Sequence, residues 1–527
     1  MHMFSNRPGG LRRRLPLIVS FVALALGTLG QPAWATKGKP PHHHKSCAEL
    51  VTLKLPDTVI TAAHLVAAGS YTAPNGQTLS NLPAFCRVAA VIAPQINFEV
   101  WMPTETWNGK FNGVGQGGYV GSISYSGLAA SIARGYAAAT TDAGHQAGGF
   151  DGSWALNRPD LVVDLGYRAV HEMTDRSKRI LQAFYGKRPK YSYYTGCSGG
   201  GHQGLMNAQR FPKDYDGIVA GAPAYDITGM HAWFTWSAQA TLKDPASYIP
   251  SSKLPVVTAA VNARCDAIDG VVDGIIDDPR KCDFDPAVLQ CTDSDAPNCL
   301  TAAQVTALRK LYAGPSNPRT GERIYPGVFP GAEVAAGWGS WITGVAPNTS
   351  LHYSLASNGI IKYAVFGDPN WDWRTFDFDA DMALTREKLS AALDATDPDL
   401  RRFKAHGGKL IMYHGWADPA FSAQSAVDYY ERVVAFMQHG KNHGLKRTQE
   451  FFRFFPVPGM GHCSGGAGPS SVDWLAELEK WVENGEAPER IIASSPQRTR
   501  PLCAYPNRAR YVGGDPNDAA SFVCEAP

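Results

Sequence analysis

Charge is scarce in this chain of 527 residues. Asp, Glu, Lys and Arg make up 18% of it, and 49 basic residues face 47 acidic ones for a formal +2. So even a balance gives no electrostatic case for nucleic acid or an anionic lipid surface as partner. Beyond the N-terminal region no apolar run approaches the ~20 residues that a membrane span needs. No cysteines stand in the close C-x-x-C pair of a thiolate zinc site, and no internal repeat points to a solenoid.

Several features are present instead. Arg7, Arg12, Arg13 and Arg14 precede an apolar run from Leu15 to Leu29 and the small-x-small triplet Ala33-Trp34-Ala35. This is the pattern of a signal peptide over residues 1–35, too short for an anchor. Its removal takes four positive charges from a formal +2 and leaves −2. Residues 36–45, with His42, His43 and His44, read as a flexible leader. The expectation is a secreted or periplasmic protein with no membrane contact after cleavage. Ten cysteines follow, an even number, which behind an export signal reads as a disulfide framework.

Residues 46–224 alternate β-like runs (Val88–Ile92, Asn97–Met102, Tyr136–Thr141, Tyr191–Thr195) with helical spacing, notably over Asp164–Tyr185. That alternation predicts a mostly parallel sheet with helices on both faces. It lapses over 225–400, where tryptophans, four cysteines and Gly/Pro/Asn stretches accumulate. It resumes with strands at Lys409–Tyr413 and Glu450–Phe455 and helices at Ala423–Gln438 and Trp474–Glu483. The expected organisation is an α/β core in two parts, 46–224 and 401–527, with a large inserted lid domain at 225–400.

Gly196-Cys197-Ser198-Gly199-Gly200 fits G-x-S-x-G between a predicted strand and a predicted helix. A serine on so sharp a turn needs glycines around it, and the helix N-terminus behind it favours a developing anion. A serine hydroxyl also needs a base, and the base needs an orienting carboxylate. The order Ser, acid, His is met by Asp418 and His462, each just past a predicted strand; His414 precedes Asp418 and breaks the order. Cys197 precedes the serine and Cys463 follows the histidine. If Ser198 and His462 meet, the two cysteines are neighbours and can be bridged.

Two glycine- or acid-rich loops stand apart. Gly115-Gln116-Gly117-Gly118-Tyr119-Val120-Gly121, with Asp142 downstream, has the look of a dinucleotide loop, but no regular helix opens directly after it. It suits an oxyanion hole better, one of its N–H groups acting with that of Gly199. Asp266, Asp269, Asp273, Asp277 and Asp278 crowd a second loop bracketed by Cys265 and Cys282. Such carboxylates are either solvated or bound to a hard cation, and this spacing allows three carboxylates and two carbonyls to Ca2+.

Taken together, Gly196 to Gly204, Arg210-Phe211-Pro212, Tyr215 to Pro223, Asp418 and His462-Cys463-Ser464-Gly465-Gly466 resemble the tannase/feruloyl esterase family over nearly the whole mature chain. The resemblance implies an α/β-hydrolase fold. It implies five disulfides: Cys47 with Cys86, Cys197 with Cys463, Cys265 with Cys282, Cys291 with Cys299, and Cys503 with Cys524. It implies oxyanion donors at Gly118 and Gly199. It also implies a structural Ca2+ in the lid on Asp266, Asp269, Val271, Asp273 and Ile275. The implied activity is hydrolysis of a small aromatic ester, feruloyl or galloyl, free or attached to plant carbohydrate, through an acyl-enzyme. Trp341 is the expected aromatic wall among Trp233, Trp236, Trp338, Trp341, Trp371 and Trp373. A family member that hydrolyses a terephthalate monoester grips the free carboxylate with a lid arginine. Ala346 to Tyr363, the comparable stretch, holds none. Terephthalate monoester hydrolysis is thus the second reading; a non-catalytic relative binding phenolics or carbohydrate and a peptidase on the same residues come behind it.

Overall fold

The computed structural model describes residues 44–334, 337–438 and 443–527. The expected signal peptide and nearly all of the leader lie outside them. Nine strands form one sheet: β1 (Thr58–Val66), β2 (Phe85–Ile92), β3 (Ile96–Pro103), β4 (Lys110–Val114), β5 (Ala137–Thr141), β6 (Tyr191–Cys197), β7 (Gly217–Gly221), β8 (Lys409–Gly415) and β9 (Phe452–Val457). Their order across the sheet is β1-β2-β3-β5-β4-β6-β7-β8-β9. The first four pair antiparallel; from β5 to β9 every pair is parallel. The parallel strands are buried on both faces, as their apolar runs require: all of Gly217–Gly221 is buried, and all of Phe452–Val457 except Pro456 is.

Helices cover the sheet. In α1 (Ala169–Tyr185), Val170, Met173, Ser177, Ile180 and Leu181 form the buried stripe, and Gly186 at φ 69° ends the helix. The others that matter here are α2 (Gly199–Arg210), α3 (Ile227–Leu242), α4 (Leu351–Asn358), α5 (Ala423–Met437) and α6 (Trp474–Asn484). In α6, the Asp473 carboxylate accepts from the Ala476 N–H at the start, and Trp474, Leu475, Leu478 and Trp481 turn inward.

β7 and β8 are parallel neighbours, Gly217 opposite Lys409, and the chain between them contains residues 225–400, the segment expected as a lid. Among its described residues no strand joins the sheet. The lid is not a separate body. Residues 44–527 form one compact unit, and Trp233 and Trp338 of the lid share a buried cluster with Val88 and Phe454 of the sheet. No helix among the described residues is long and apolar enough to cross a membrane.

Five disulfides staple this unit, with the pairing that the family resemblance implies. Cys47–Cys86 ties the N-terminal segment to β2, its Cα atoms 5.7 Å apart. Cys265–Cys282 and Cys291–Cys299 close short loops of the lid, spanning 17 and 8 residues. Cys503–Cys524 joins two strands of the C-terminal tail, Thr499–Cys503 and Phe522–Glu525. The fifth, Cys197–Cys463, lies at the site, and no cysteine among the described residues is free.

Candidate active site

Strand β6 runs into Ser198, and α2 begins at the next residue. Ser198 sits at φ 62°, ψ −121°, a conformation that costs on the order of 1–3 kcal/mol for a side-chain-bearing residue. The surroundings hold it there. Its N–H donates to the Gly221 carbonyl (2.9 Å), and its own carbonyl accepts from the N–H groups of His202 (3.0 Å) and Ala224 (3.2 Å). A Cβ on Gly196 would lie 2.6 Å from the Gly200 carbonyl carbon, so the turn closes only with glycine there.

Asp418 follows β8 and His462 follows β9. His462 Nδ1 and Asp418 Oδ2 are 2.8 Å apart. The same oxygen takes His414 Nε2 at 3.1 Å, and Oδ1 accepts from the N–H groups of Ala420 (2.8 Å) and Phe421 (3.3 Å). Asp418 is fully buried, which by itself would raise its carboxyl. The charge of His462 and the hydrogen bonds from His414 and His462 outweigh burial and hold it well below the usual carboxylate range. His414, out of order for a base, thus lies behind the carboxylate as its second imidazole partner. Cys197 and Cys463 are bonded with Cα atoms 6.0 Å apart, which sets the Ser198 and His462 loops side by side.

Ser198 opens onto a small cavity floored by Gly118 and Gly199. A Cβ on Gly199 would come within 2.5 Å of the Gly118 carbonyl, so the two backbones touch where side chains are absent. The Gly118 loop is pinned by Gln116, whose amide donates to the carbonyls of Ser122 (2.6 Å) and Thr141 (3.0 Å). Asp142 accepts from the backbone N–H groups of Asn97 and Gly144 inside the turn after β5, where burial pushes its carboxyl up to about 6. It is engaged there rather than offered to a ribose. A larger cavity behind Trp416, beside the Asp loop, contains none of Ser198, Asp418 or His462.

The cavity walls are aromatic. Trp341, Phe421 and Phe150 line it; the rings of Trp341 and Phe421 stand edge-on to His462, with centroids 5.0 and 5.1 Å away. Helix α3 contributes one face, Ile227, Met230, His231 and Phe234. Among the described residues no Lys, Arg, Asp or Glu lines the cavity. Of the six lid tryptophans only Trp341 does; Trp233, Trp338 and Trp373 are buried core, Trp236 donates to the Lys310 carbonyl, and Trp371 stacks on Phe366. Lys362 and Arg374 point elsewhere, to the Ser357 carbonyl and to Asp372.

A family model described as tannase and feruloyl esterase matches residues 80–525. The chain belongs to that family. It is 41% identical to an uncharacterized esterase of Xanthomonas campestris pv. campestris over 91% of each chain. It is 36% identical to mono(2-hydroxyethyl) terephthalate hydrolase of Piscinibacter sakaiensis over 88% of each. The crystal structure of feruloyl esterase B from Aspergillus oryzae matches with a TM-score of 0.82 at 28% identity, covering 91% of this chain and 99% of that one. This member of the tannase and feruloyl esterase family is a carboxylic-ester hydrolase with an α/β-hydrolase fold.

In this esterase the Asp loop is tightly wrapped. Asp266 accepts from the Gly274 N–H (3.0 Å), Asp269 from the N–H groups of Val271 (3.0 Å) and Asp277 (3.2 Å), and Asp273 from that of Ile275 (3.1 Å). Oxygen donors alone suit a hard cation in kind. They do not form a closed cage: Asp273 also pairs with Arg498 and Arg500, and among the described residues no three His, Cys, Asp or Glu side chains form a metal-holding group. Burial pushes Asp277 up to about 7 and raises Asp269, with like charges adding to both; Arg500 opposes.

Tyr119, Phe150, His231 and Phe421 are site residues that sequence reasoning does not single out, and His414 enters it only as a rival base. One signal does lie in the sequence. Ile227, Met230, His231 and Phe234 repeat at helical spacing, and a lone histidine in an apolar stripe marks a polar group aimed at something buried.

Proposed function

We propose that this esterase hydrolyses esters of phenolic acids, feruloyl or galloyl, through a Ser198 acyl-enzyme. The supporting observation is a cavity at Ser198 that is aromatic on several sides and, among the described residues, carries no charged side chain. Flat rings bury well against such walls, worth ~0.5–1.5 kcal/mol beyond area for ring contacts. In the mechanism His462 removes the Ser198 proton as Oγ attacks the ester carbon. Asp418 holds the His462 Nδ1–H and stabilises the imidazolium. The N–H groups of Gly118 and Gly199 receive the oxyanion. His462 then protonates the leaving alcohol, and a water activated by His462 releases the acid.

A free carboxylate on the far side of the ring would enter this cavity without a cation to meet it, losing a charge-assisted bond worth ~1.5–3 kcal/mol. The expected result is a kcat/KM for methyl ferulate or methyl gallate at least about tenfold above that for a terephthalate monoester, since ~1.4 kcal/mol is a factor of ten. The 36% identity to the Piscinibacter enzyme favours the opposite preference, and equal or better efficiency on the monoester would establish it.

The Asp loop is proposed to hold a structural Ca2+ through Asp266, Asp269, Asp273 and the carbonyls of Val271 and Ile275; the ion would compete with Arg498 and Arg500 for Asp273. A bound ion stabilises by mass action. Excess chelator is expected to lower Tm by a few degrees and leave turnover at 25 °C unchanged. An unmoved melting curve with no calcium by elemental analysis would assign the loop to its arginines alone. The five disulfides support export to a secreted or periplasmic location.

A further inference from the structure

His231 is 2% exposed, yet its Nδ1 has no hydrogen-bond partner among the described residues. A buried orphan of this kind calls for an explanation. Its other nitrogen is engaged: Nε2 lies 3.1 Å from the Tyr119 hydroxyl, and the two rings stack at 5.6 Å with planes 12° apart. The Tyr119 oxygen in turn accepts the Ile360 N–H at 3.1 Å.

These contacts fix where the protons sit. Burial raises the Tyr119 phenol far above its ordinary value, so the hydroxyl keeps its hydrogen. With the Ile360 N–H already on its oxygen, Tyr119 has one hydrogen to give and one neighbour to take it, Nε2 of His231. Nε2 is then an acceptor, and a neutral imidazole must carry its hydrogen on Nδ1. The opposite tautomer would bring two donors to the Tyr119 oxygen and strand the buried hydroxyl hydrogen. Burial lowers His231 to about 3, so the ring is neutral at any ordinary working pH. The ring lines the Ser198 cavity from α3, whose other cavity residues, Ile227, Met230 and Phe234, offer no hydrogen bond.

We propose that His231 is a specificity residue of the acyl pocket, its Nδ1–H being presented, through the relay from Ile360 by way of Tyr119, to a neutral oxygen on the ring of an aromatic acyl group. The ligand class is a hydroxyl- or methoxy-bearing aromatic acid, recognised by an uncharged donor in an otherwise apolar site. The inference rests on the Ser198 reading of the cavity.

The test is a set of methyl cinnamates, unsubstituted and with hydroxyl or methoxy at ring positions 3 and 4, compared by kcat/KM. Wild type is expected to favour the best oxygenated ester by about tenfold. His231→Leu should bring that ratio close to one. His231→Asn, whose side-chain amide nitrogen can stand where Nδ1 does, should restore part of it. His231→Gln, whose donor lies at the Nε2 end, should not. Tyr119→Phe, which leaves His231 in place but frees its tautomer, should give an intermediate ratio. The wild-type ratio should be flat from about pH 5 to 8. Active-site titration with a serine-directed phosphonate reports the folded fraction of each variant, and if His231→Leu does not fold, the Asn, Gln and Tyr119→Phe ratios decide. A wild type that hydrolyses every ester with no preference, or variants that keep the full ratio, overturn the role of His231 alone. No hydrolysis of any ester in the set, or hydrolysis that survives Ser198→Ala, overturns the reading of the site and this proposal with it.

Discussion

Ser198→Ala is expected to lower kcat by on the order of 10⁴- to 10⁶-fold while leaving the fold intact. The elbow explains both halves of that result. What holds residue 198 in place is backbone: its N–H on Gly221 and its carbonyl under the N–H groups of His202 and Ala224. Alanine keeps all three, and it bears the same φ of 62° with one atom fewer. The substitution therefore removes Oγ and little else. A residual rate should persist, because the amides of Gly118 and Gly199 would still polarise the ester, and such remnants elsewhere give ~10³–10⁴ over water. Single-turnover measurements on methyl ferulate, with loss of phosphonate labelling, make the comparison. Turnover near wild type would sink the assignment of the elbow.

Asp418→Asn is expected to cost nearly as much, about 10³- to 10⁴-fold in kcat. The reason is the crowding on one oxygen. Oδ2 accepts from His462 Nδ1 at 2.8 Å and faces His414 Nε2 at 3.1 Å, and Oδ1 accepts two backbone N–H groups. An asparagine must keep its carbonyl toward Ala420 and Phe421, which turns its NH2 to both imidazoles. His462 then accepts at Nδ1, carries its hydrogen on Nε2, and has no lone pair for the serine. The variant should also be less stable, with a definite pH dependence. Asp418 is held below its ordinary pKa, so its contribution is present above the unfolded value near pH 4 and is lost as the pH falls through the folded value. The Tm gap between wild type and variant should therefore be wide at pH 6–8 and narrow toward pH 3. A variant with normal kcat, or a gap that widens in acid, would remove Asp418 from its role.

What the sequence discloses and what it hides follow from how local each signal is. The elbow is legible because strand, glycines, serine and helix are consecutive. The Cys197–Cys463 bridge is legible because each cysteine adjoins a residue whose partner the chemistry dictates. The pairs Cys47–Cys86, Cys291–Cys299 and Cys503–Cys524 have no such neighbour, and only the family resemblance points to them. Strand interiors at 88–92, 97–102, 191–195 and 409–413 are recovered, although β9 is displaced, Phe452–Val457 against the expected Glu450–Phe455. Three strands of the nine-stranded sheet are missed, each for its own reason. β1 is an edge whose Val59 and Leu65 face solvent at 67% and 65% exposure, so hydrophobicity does not alternate cleanly. β4 contains Gly113, where a Cβ would meet the Tyr215 hydroxyl at 2.4 Å, a need set by a residue far along the chain. β7, Gly-Ile-Val-Ala-Gly, is short and buried on both faces, and no period shows in five residues. The pocket is hidden more deeply. Tyr119, His231 and Ile360 lie on three separate stretches, and the tautomer that joins them exists only after all three have packed.

The bond between Cys197 and Cys463 makes the placing of the His462 loop against the Ser198 loop depend on oxidation. Its two ends are 266 residues apart, and all of the chain from β7 to β9 is synthesised between them. A thiol pair adjoining the nucleophile on one side and the base on the other leaves the two loops untied for as long as the surroundings are reducing, and a base about 1 Å out of place can cost ~10²-fold. On the Ser198 reading, oxidation is then a safety catch. If the chain is exported as proposed, it would stay a poor esterase until it met the oxidant that closes this bond.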